Sequence, residues 1–245
     1  MGHYIQTDLK GQQKTLSSQD YDLRVTNLAR FILRRLPIKK AKLIDIGAGN
    51  GLVLRIFRQK GFEVTGMELS PTLCEAMKKN PKMKGINVFQ GDVSKKTGNE
   101  DYDVVLASDV IEHIKDDKGA LDNLFSFLKP GGYLVITVPA HQHLFGKRDK
   151  MWGHYRRYDR RQLINKLDEL SGTIEFVSYW NFVGYFAYYF YEKVLGKPIK
   201  EGFRYSSSIS SKAFRGFLTI ILRIEEFAGY VPWGLTLVAI VKKDK

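Results

Sequence analysis

Between Leu43 and Pro139 the chain alternates short apolar runs with amphipathic stretches. The runs Lys42–Ile46, Val64–Glu68, Val88–Gln90, Val104–Ser108 and Tyr133–Val138 are rich in β-branched and aromatic residues. That is the composition of strands covered on both faces. Leu52–Lys60, Pro71–Asn80 and Lys118–Leu128 between them read as helices. The second opens on Ser70-Pro71, an N-cap followed by proline in the first turn. The third is expected to stop at Pro130-Gly131-Gly132. This order predicts βαβ units and a parallel sheet.

Outside that region, Asp20–Leu36 spaces Leu23, Leu28, Phe31, Ile32 and Leu36 as one helix face. Downstream, the pattern predicts a helix over Arg160–Leu170, a strand over Thr173–Tyr179, a loop over Ser206–Ser211 and a helix over Phe214–Phe227. The last of these puts Phe217, Ile220, Ile221 and Ile224 on one face, and Leu235–Val241 closes the chain as an apolar strand. Ten of the sixteen residues from Phe176 to Tyr191 are aromatic and none is charged. The expected organisation is an N-terminal helical segment (1–40), an α/β core (41–180), an aromatic-rich helical insertion or lid (181–233) and a final core strand with a short tail (234–245).

At 44% hydrophobic and 27% charged residues the 245-residue chain is an ordinary globular one, which excludes disordered, collagen-like and coiled-coil classes. Its net charge of +13 favours anionic partners. The charge is concentrated: Lys147–Lys166 holds eight basic and two acidic residues. This segment reads either as a solvated helix face or as an anion-facing surface. The single cysteine, Cys74, offers no internal disulfide and no thiolate cluster. With no apolar stretch of spanning length and a polar start, the expectation is a cytoplasmic protein.

Chemistry concentrates where the predicted strands end. Asp45-Ile46-Gly47-Ala48-Gly49-Asn50-Gly51 runs from a strand through a glycine-rich turn into a helix, whose free N–H groups favour an anion. A dinucleotide site expects G-x-G-x-x-G, but Leu52 stands at that third glycine's place. Asp45 at the strand end can instead take an ammonium group. Glu68 ends the second strand, where a carboxylate can accept both hydroxyls of a ribose. Gly91-Asp92 follows the third, with Asp92 able to accept from an adenine amine. Asp109-Val110-Ile111-Glu112-His113 follows the fourth. Four consecutive strand ends therefore deliver glycines or acids to one edge, the edge at which such sheets bind ligands.

These residues resemble the class I S-adenosylmethionine-dependent methyltransferases over roughly residues 40–140, and Leu128-Lys129-Pro130-Gly131-Gly132-Tyr133 resembles the family's turn into its fifth strand. The resemblance implies a Rossmann-like seven-stranded sheet, mostly parallel with an antiparallel last strand supplied by Leu235–Val241. It implies S-adenosylmethionine as cofactor. Asp45, Gly47, Ala48, Gly49 and Gly51 would hold the methionine part, Glu68 with Leu69 the ribose, and Asp92 with Val93 the adenine. Ser108, Asp109 and His113 would line the same pocket.

A second stretch, Gly153-His154-Tyr155-Arg156-Arg157-Tyr158 after Val138-Pro139-Ala140-His141, resembles a bacterial methyltransferase subgroup associated with glycan or lipid biosynthesis. It leaves the fifth strand's carboxyl end, so His141, His154, Tyr155, Arg156 and Arg157 are the acceptor-side candidates. Adjacent arginines can clamp a carboxylate or phosphate, and a histidine can take a proton near neutral pH. The expected acceptor is an anionic small molecule or a lipid- or glycan-linked one, and no metal is expected. Ser108-Asp109-Val110-Ile111 lacks the Asn/Asp-Pro-Pro-Tyr of nucleic-acid amino-methylating enzymes, which disfavours nucleic acid as a substrate. Phe176–Tyr191 reads as core, as a lid or as a surface for peripheral contact with the inner membrane face. The rival readings are a non-catalytic S-adenosylmethionine-binding regulator or RNA-binding protein, and a dinucleotide-dependent oxidoreductase.

Overall fold

The structure is a computed structural model that describes residues 22–95, 101–197 and 209–244. Seven strands form one sheet: β1 (Lys42–Ile46), β2 (Glu63–Glu68), β3 (Asn87–Gln90), β4 (Tyr102–Ser108), β5 (Leu128–Pro139), β6 (Gly172–Trp180) and β7 (Thr236–Lys243). Their spatial order is β3-β2-β1-β4-β5-β7-β6. β7 runs antiparallel to both of its neighbours and every other pairing is parallel. The central strands are covered on both faces, and Leu43, Ile44, Val104, Val105, Leu134 and Val135 are fully buried. That burial explains why these strands read as apolar runs rather than as alternating ones.

The helices that cover the sheet are α1 (Leu23–Arg35), α2 (Leu52–Gln59), α3 (Pro71–Lys79), α4 (Asp117–Ser126), α5 (Lys147–Met151), α6 (Arg160–Leu167), α7 (Phe182–Tyr188) and α8 (Ile209–Phe227). Asp22 caps α1, its carboxylate accepting from Val25 N. Ser70 caps α3 as expected, accepting from Leu73 N, with Pro71 in the first turn. Arg35 ties α1 to the end of α8, donating to the carbonyls of Glu225, Glu226 and Gly229.

Several boundaries differ from the sequence reading, and the helix expected over Arg160–Leu170 ends at Leu167. The helix expected over Lys118–Leu128 ends at Ser126, and Leu128 already pairs with Tyr102 in β5. Pro130-Gly131-Gly132 is not a turn before the strand but a bulge within it. Leu128 lies opposite Tyr102 and Tyr133 opposite Val104, so the proline's missing N–H falls where the ladder is interrupted. Of the loop expected at Ser206–Ser211, residues 206–208 lie outside the described ones, and Ser210 and Ser211 belong to α8. The aromatic stretch divides among three elements: Phe176–Trp180 in β6, Phe182–Tyr188 in α7, and a π-helical turn over Tyr189–Val194.

Candidate active site

The parallel register brings the carboxyl ends of β1, β2, β3 and β4 to one edge, and backbone hydrogen bonds lace them together. Gly47 N and Ala48 N donate to Met67 O (2.8 and 3.1 Å), Gly91 N to Glu68 O (3.0 Å) and Asp109 N to Thr137 O (2.9 Å). Gly47, Gly49 and Gly51 adopt φ of +76°, +57° and +73°, a region that L side chains rarely occupy. At Gly47 a Cβ would also meet Val110 Cγ2 at 2.7 Å, and at Gly51 it would meet Met83 Cε at 2.6 Å. The glycine turn, Glu68, Asp92 and Asp109 thus border one edge of the sheet.

Glu68 is buried and holds the turn in shape. Its Oε2 accepts from Gly49 N at 2.8 Å and its Oε1 from Ser70 N at 2.9 Å. Asp45, 2% exposed, has its pKa raised to about 8 by burial and then by the nearby Glu68 charge. Leu69 is exposed and Val93 buried at the same edge. Asp92 Oδ1 accepts from Ser94 N and Oγ (2.9 and 2.7 Å). Ala48 is buried, whereas Ser108 is half-buried.

Asp45 gives a pH-dependent stability. Its folded pKa lies above the unfolded value of 3.8, so the folded state retains a proton that the unfolded chain releases. Stability therefore falls as the pH rises between those values. Asp45→Asn removes that dependence. The ligand-free variant is expected to melt several degrees above the parent at pH 8 and close to it at pH 4, as read by thermal denaturation. Equal melting temperatures at pH 8 would contradict a buried, reluctantly ionised Asp45.

On the acceptor side the sequence candidates separate. Asp109 (φ +55°) pairs with Arg24 of α1 at 2.7 Å. His154 Nδ1 lies 3.0 Å from Asp149 Oδ1, and its ring packs edge-on to His113 with centroids 4.6 Å apart. Burial and the adjacent His154 push the His113 pKa down to about 3. Tyr155 is exposed, and its N–H donates to Glu112 O at 2.8 Å, fastening this segment to the one after β4.

The two arginines do not form a shared clamp. Arg156 donates to Lys115 O and pairs with Asp117 at 2.8 Å. Arg157 is buried, pairs through Nε with Asp149 Oδ1 at 2.8 Å and donates to Ala140 O. Each guanidinium is paired with a different carboxylate, Arg156 with Asp117 and Arg157 with Asp149. His141 (φ +66°) is likewise held within the protein. It is buried, its Nε2 lies 3.0 Å from Gly234 O, and it stacks on Tyr179 and Trp233. Burial, then His143, lowers its pKa to about 4, which leaves it neutral at physiological pH.

Sequence reasoning did not single out Asp149, Arg24 or Trp233 as site-forming residues. Asp149 carried a weak signal as one of only two acids in the basic segment. Arg24 and Trp233 reach the site through the tertiary fold, and local sequence carries no signal for that.

This strand order, with one reversed strand and the glycine turn after β1, is that of the Rossmann-like methyltransferases. A family model described as a methyltransferase domain matches residues 20–186. A ubiquinone biosynthesis O-methyltransferase of Saccharophagus degradans is 31% identical over 138 residues, covering 54% of this chain and 55% of that protein. One from Rickettsia canadensis is 31% identical over 103 residues, covering 41% and 44%. The chain thus spans about half the length of these curated relatives. An S-adenosylmethionine-dependent methyltransferase from Thermotoga maritima superposes with a TM-score of 0.62 at 15% identity, each chain covered completely. The chain belongs to the methyltransferase-domain family.

Proposed function

We propose that the protein transfers the methyl group of S-adenosylmethionine to a hydroxyl oxygen of a lipid-linked acceptor presented at an anionic membrane surface. In this reading Asp45 and the glycine turn hold the methionine part, Glu68 and Leu69 the ribose, and Asp92 and Val93 the adenine. Ser108, Asp109 and His113 border the point of methyl delivery. The sulfonium already carries its leaving group, so catalysis comes mainly from holding oxygen, methyl and sulfur in line.

The observation that carries the acceptor class is the outward face of α7 and α8. The inward side of α7 packs on the acceptor segment: Tyr185 contacts His141, and Arg157 lies over the Tyr188 ring at 4.5 Å. Its outward side, continued by the π-turn, exposes Phe186, Tyr189, Phe190, Tyr191 and Val194. α8 exposes Phe217, Ile220, Ile224 and Phe227, each about 60%. Apolar surface of this extent marks an interface, aromatic rings suit the bilayer boundary, and a chain of +13 is drawn to anionic lipid. Among the described residues no helix is long and apolar enough to cross a membrane, so contact would be peripheral. The relatives' designation as O-methyltransferases of ubiquinone biosynthesis supports an oxygen acceptor.

Two readouts test this. The protein is expected to sediment with anionic vesicles at low salt and to be released at high salt. Phe186→Glu with Phe190→Glu abolishes the sedimentation. In a membrane extract, labelled methyl from S-adenosylmethionine is expected in the organic-soluble fraction. Failure to sediment with any vesicle at low salt, or label confined to the aqueous fraction, would contradict the lipid-linked acceptor.

A further inference from the structure

We propose that Glu112, His113 and His154 form a binding site for one divalent transition-metal ion, Zn2+ by the character of its donors. One ligand atom from each residue lies within 4.8 Å of the other two. Glu112 is completely buried, and neither of its carboxylate oxygens has a hydrogen-bond partner. Its Oε1 is 4.0 Å from His113 Nε2. A buried carboxyl group left without a partner costs several kcal/mol, and this one sits beside two imidazoles at the carboxyl edge of the sheet.

The surroundings are those of a prepared ligand set. His154 donates its Nδ1–H to Asp149, which fixes the tautomer that presents an Nε2 lone pair. Asp149 is in turn held by Arg157, so the chain carboxylate–imidazole–ligand atom is complete on this side. The His113 ring packs edge-on to His154, with centroids 4.6 Å apart.

Two imidazoles and one carboxylate match Zn2+ rather than Mg2+ or Ca2+, which prefer all-oxygen sets. With ligand distances of about 2.0–2.2 Å in a tetrahedron, the donors close inward by roughly 1 Å. The histidine side chains remain 14% and 16% exposed, so the fourth position opens to solvent, as in catalytic rather than structural zinc sites. An acceptor oxygen bound there would lose its proton more readily. That consequence rests on the methyl-transfer reading, whereas the metal site does not. A second grouping, His141, His143 and Asp159, also has metal-compatible spacing. There His141 Nε2 is taken up by the Gly234 carbonyl, so a single ion per chain is expected.

The test uses the full chain, stripped with a chelator and titrated with Zn2+ by calorimetry and with Co2+ by visible absorption. Expected are one ion per chain, Co2+ d–d bands of a four- or five-coordinate site, and a rise in melting temperature with Zn2+. His154→Gln, on a partly exposed side chain, is expected to fold normally and to weaken Zn2+ binding by at least about 10–100-fold. Glu112→Gln abolishes the Zn2+-dependent rise in melting temperature, and His143→Gln leaves binding unchanged. Absence of Zn2+ binding, or equal affinity in the parent, His154→Gln and Glu112→Gln, overturns the proposal.

Discussion

Asp149→Ala is expected to lower the melting temperature at pH 7 by about 6–20 °C, the largest stability effect of any single change at this site. Asp149 is 1% exposed. It receives Arg157 Nε (2.8 Å), His154 Nδ1 (3.0 Å) and Gly146 N (2.9 Å). Removing it strands the buried Arg157 guanidinium, and breaking a buried pair in this way costs about 3–5 kcal/mol. In a chain of this size each kcal/mol is worth about 2–4 °C. Burial alone would raise the Asp149 pKa, but the His154 hydrogen bond and the Arg157 charge outweigh it and leave the pKa below the ordinary value. A depressed carboxylate pKa contributes stability that is present above the unfolded pKa and lost on acidification. The gap between parent and variant should therefore be full at neutral pH and close below about pH 4. A calorimetric scan at pH 7 that separates the two by less than about 2 °C would show that the Asp149–Arg157 pair does not anchor this loop.

Gly49→Val is expected to remove S-adenosylmethionine binding altogether while leaving the sheet folded. Gly49 has φ of +57° and its N–H is bonded to Glu68 Oε2. A β-branched residue is a genuine outlier at that φ, so the turn must rearrange and the Glu68 contact must break. In the proposed site both the backbone and the carboxylate face the cofactor, so one substitution disables two sets of contacts. Circular dichroism should match the parent, while calorimetric titration with S-adenosylhomocysteine gives no heat of binding. Binding within about tenfold of the parent, a difference of 1.4 kcal/mol, would mean that the cofactor lies elsewhere.

The proposed cofactor half of this molecule is legible in the sequence because its determinants are local. Each strand buried on both faces must be a short apolar run, and each strand end carries its own glycine or acid, as at Gly47–Gly51, Glu68 and Asp92. The bulge at Pro130-Gly131-Gly132 was less legible, because proline and glycine signal an interrupted hydrogen-bond ladder without saying whether a strand resumes beyond it. The acceptor half depends on partners distant in sequence. Asp149 stands in the same basic segment as Arg157, but nothing there says which of its two acids matches that charge, and nothing near Asp109 points to Arg24 on α1. The face of α8 bearing Phe217, Ile220 and Ile224 was readable as a face, but its exposure is set by how α8 packs on α1, with Leu222 and Glu225 turned inward.

The central claim is that the edge formed by Asp45, the glycine turn and Glu68 is a site for S-adenosylmethionine and not for a dinucleotide. Calorimetric titration of the unmodified protein with S-adenosylhomocysteine and, separately, with NAD tests it most directly. Saturable binding of one S-adenosylhomocysteine per chain with no detectable heat from NAD is the predicted result. Tight NAD binding with no response to S-adenosylhomocysteine would contradict it.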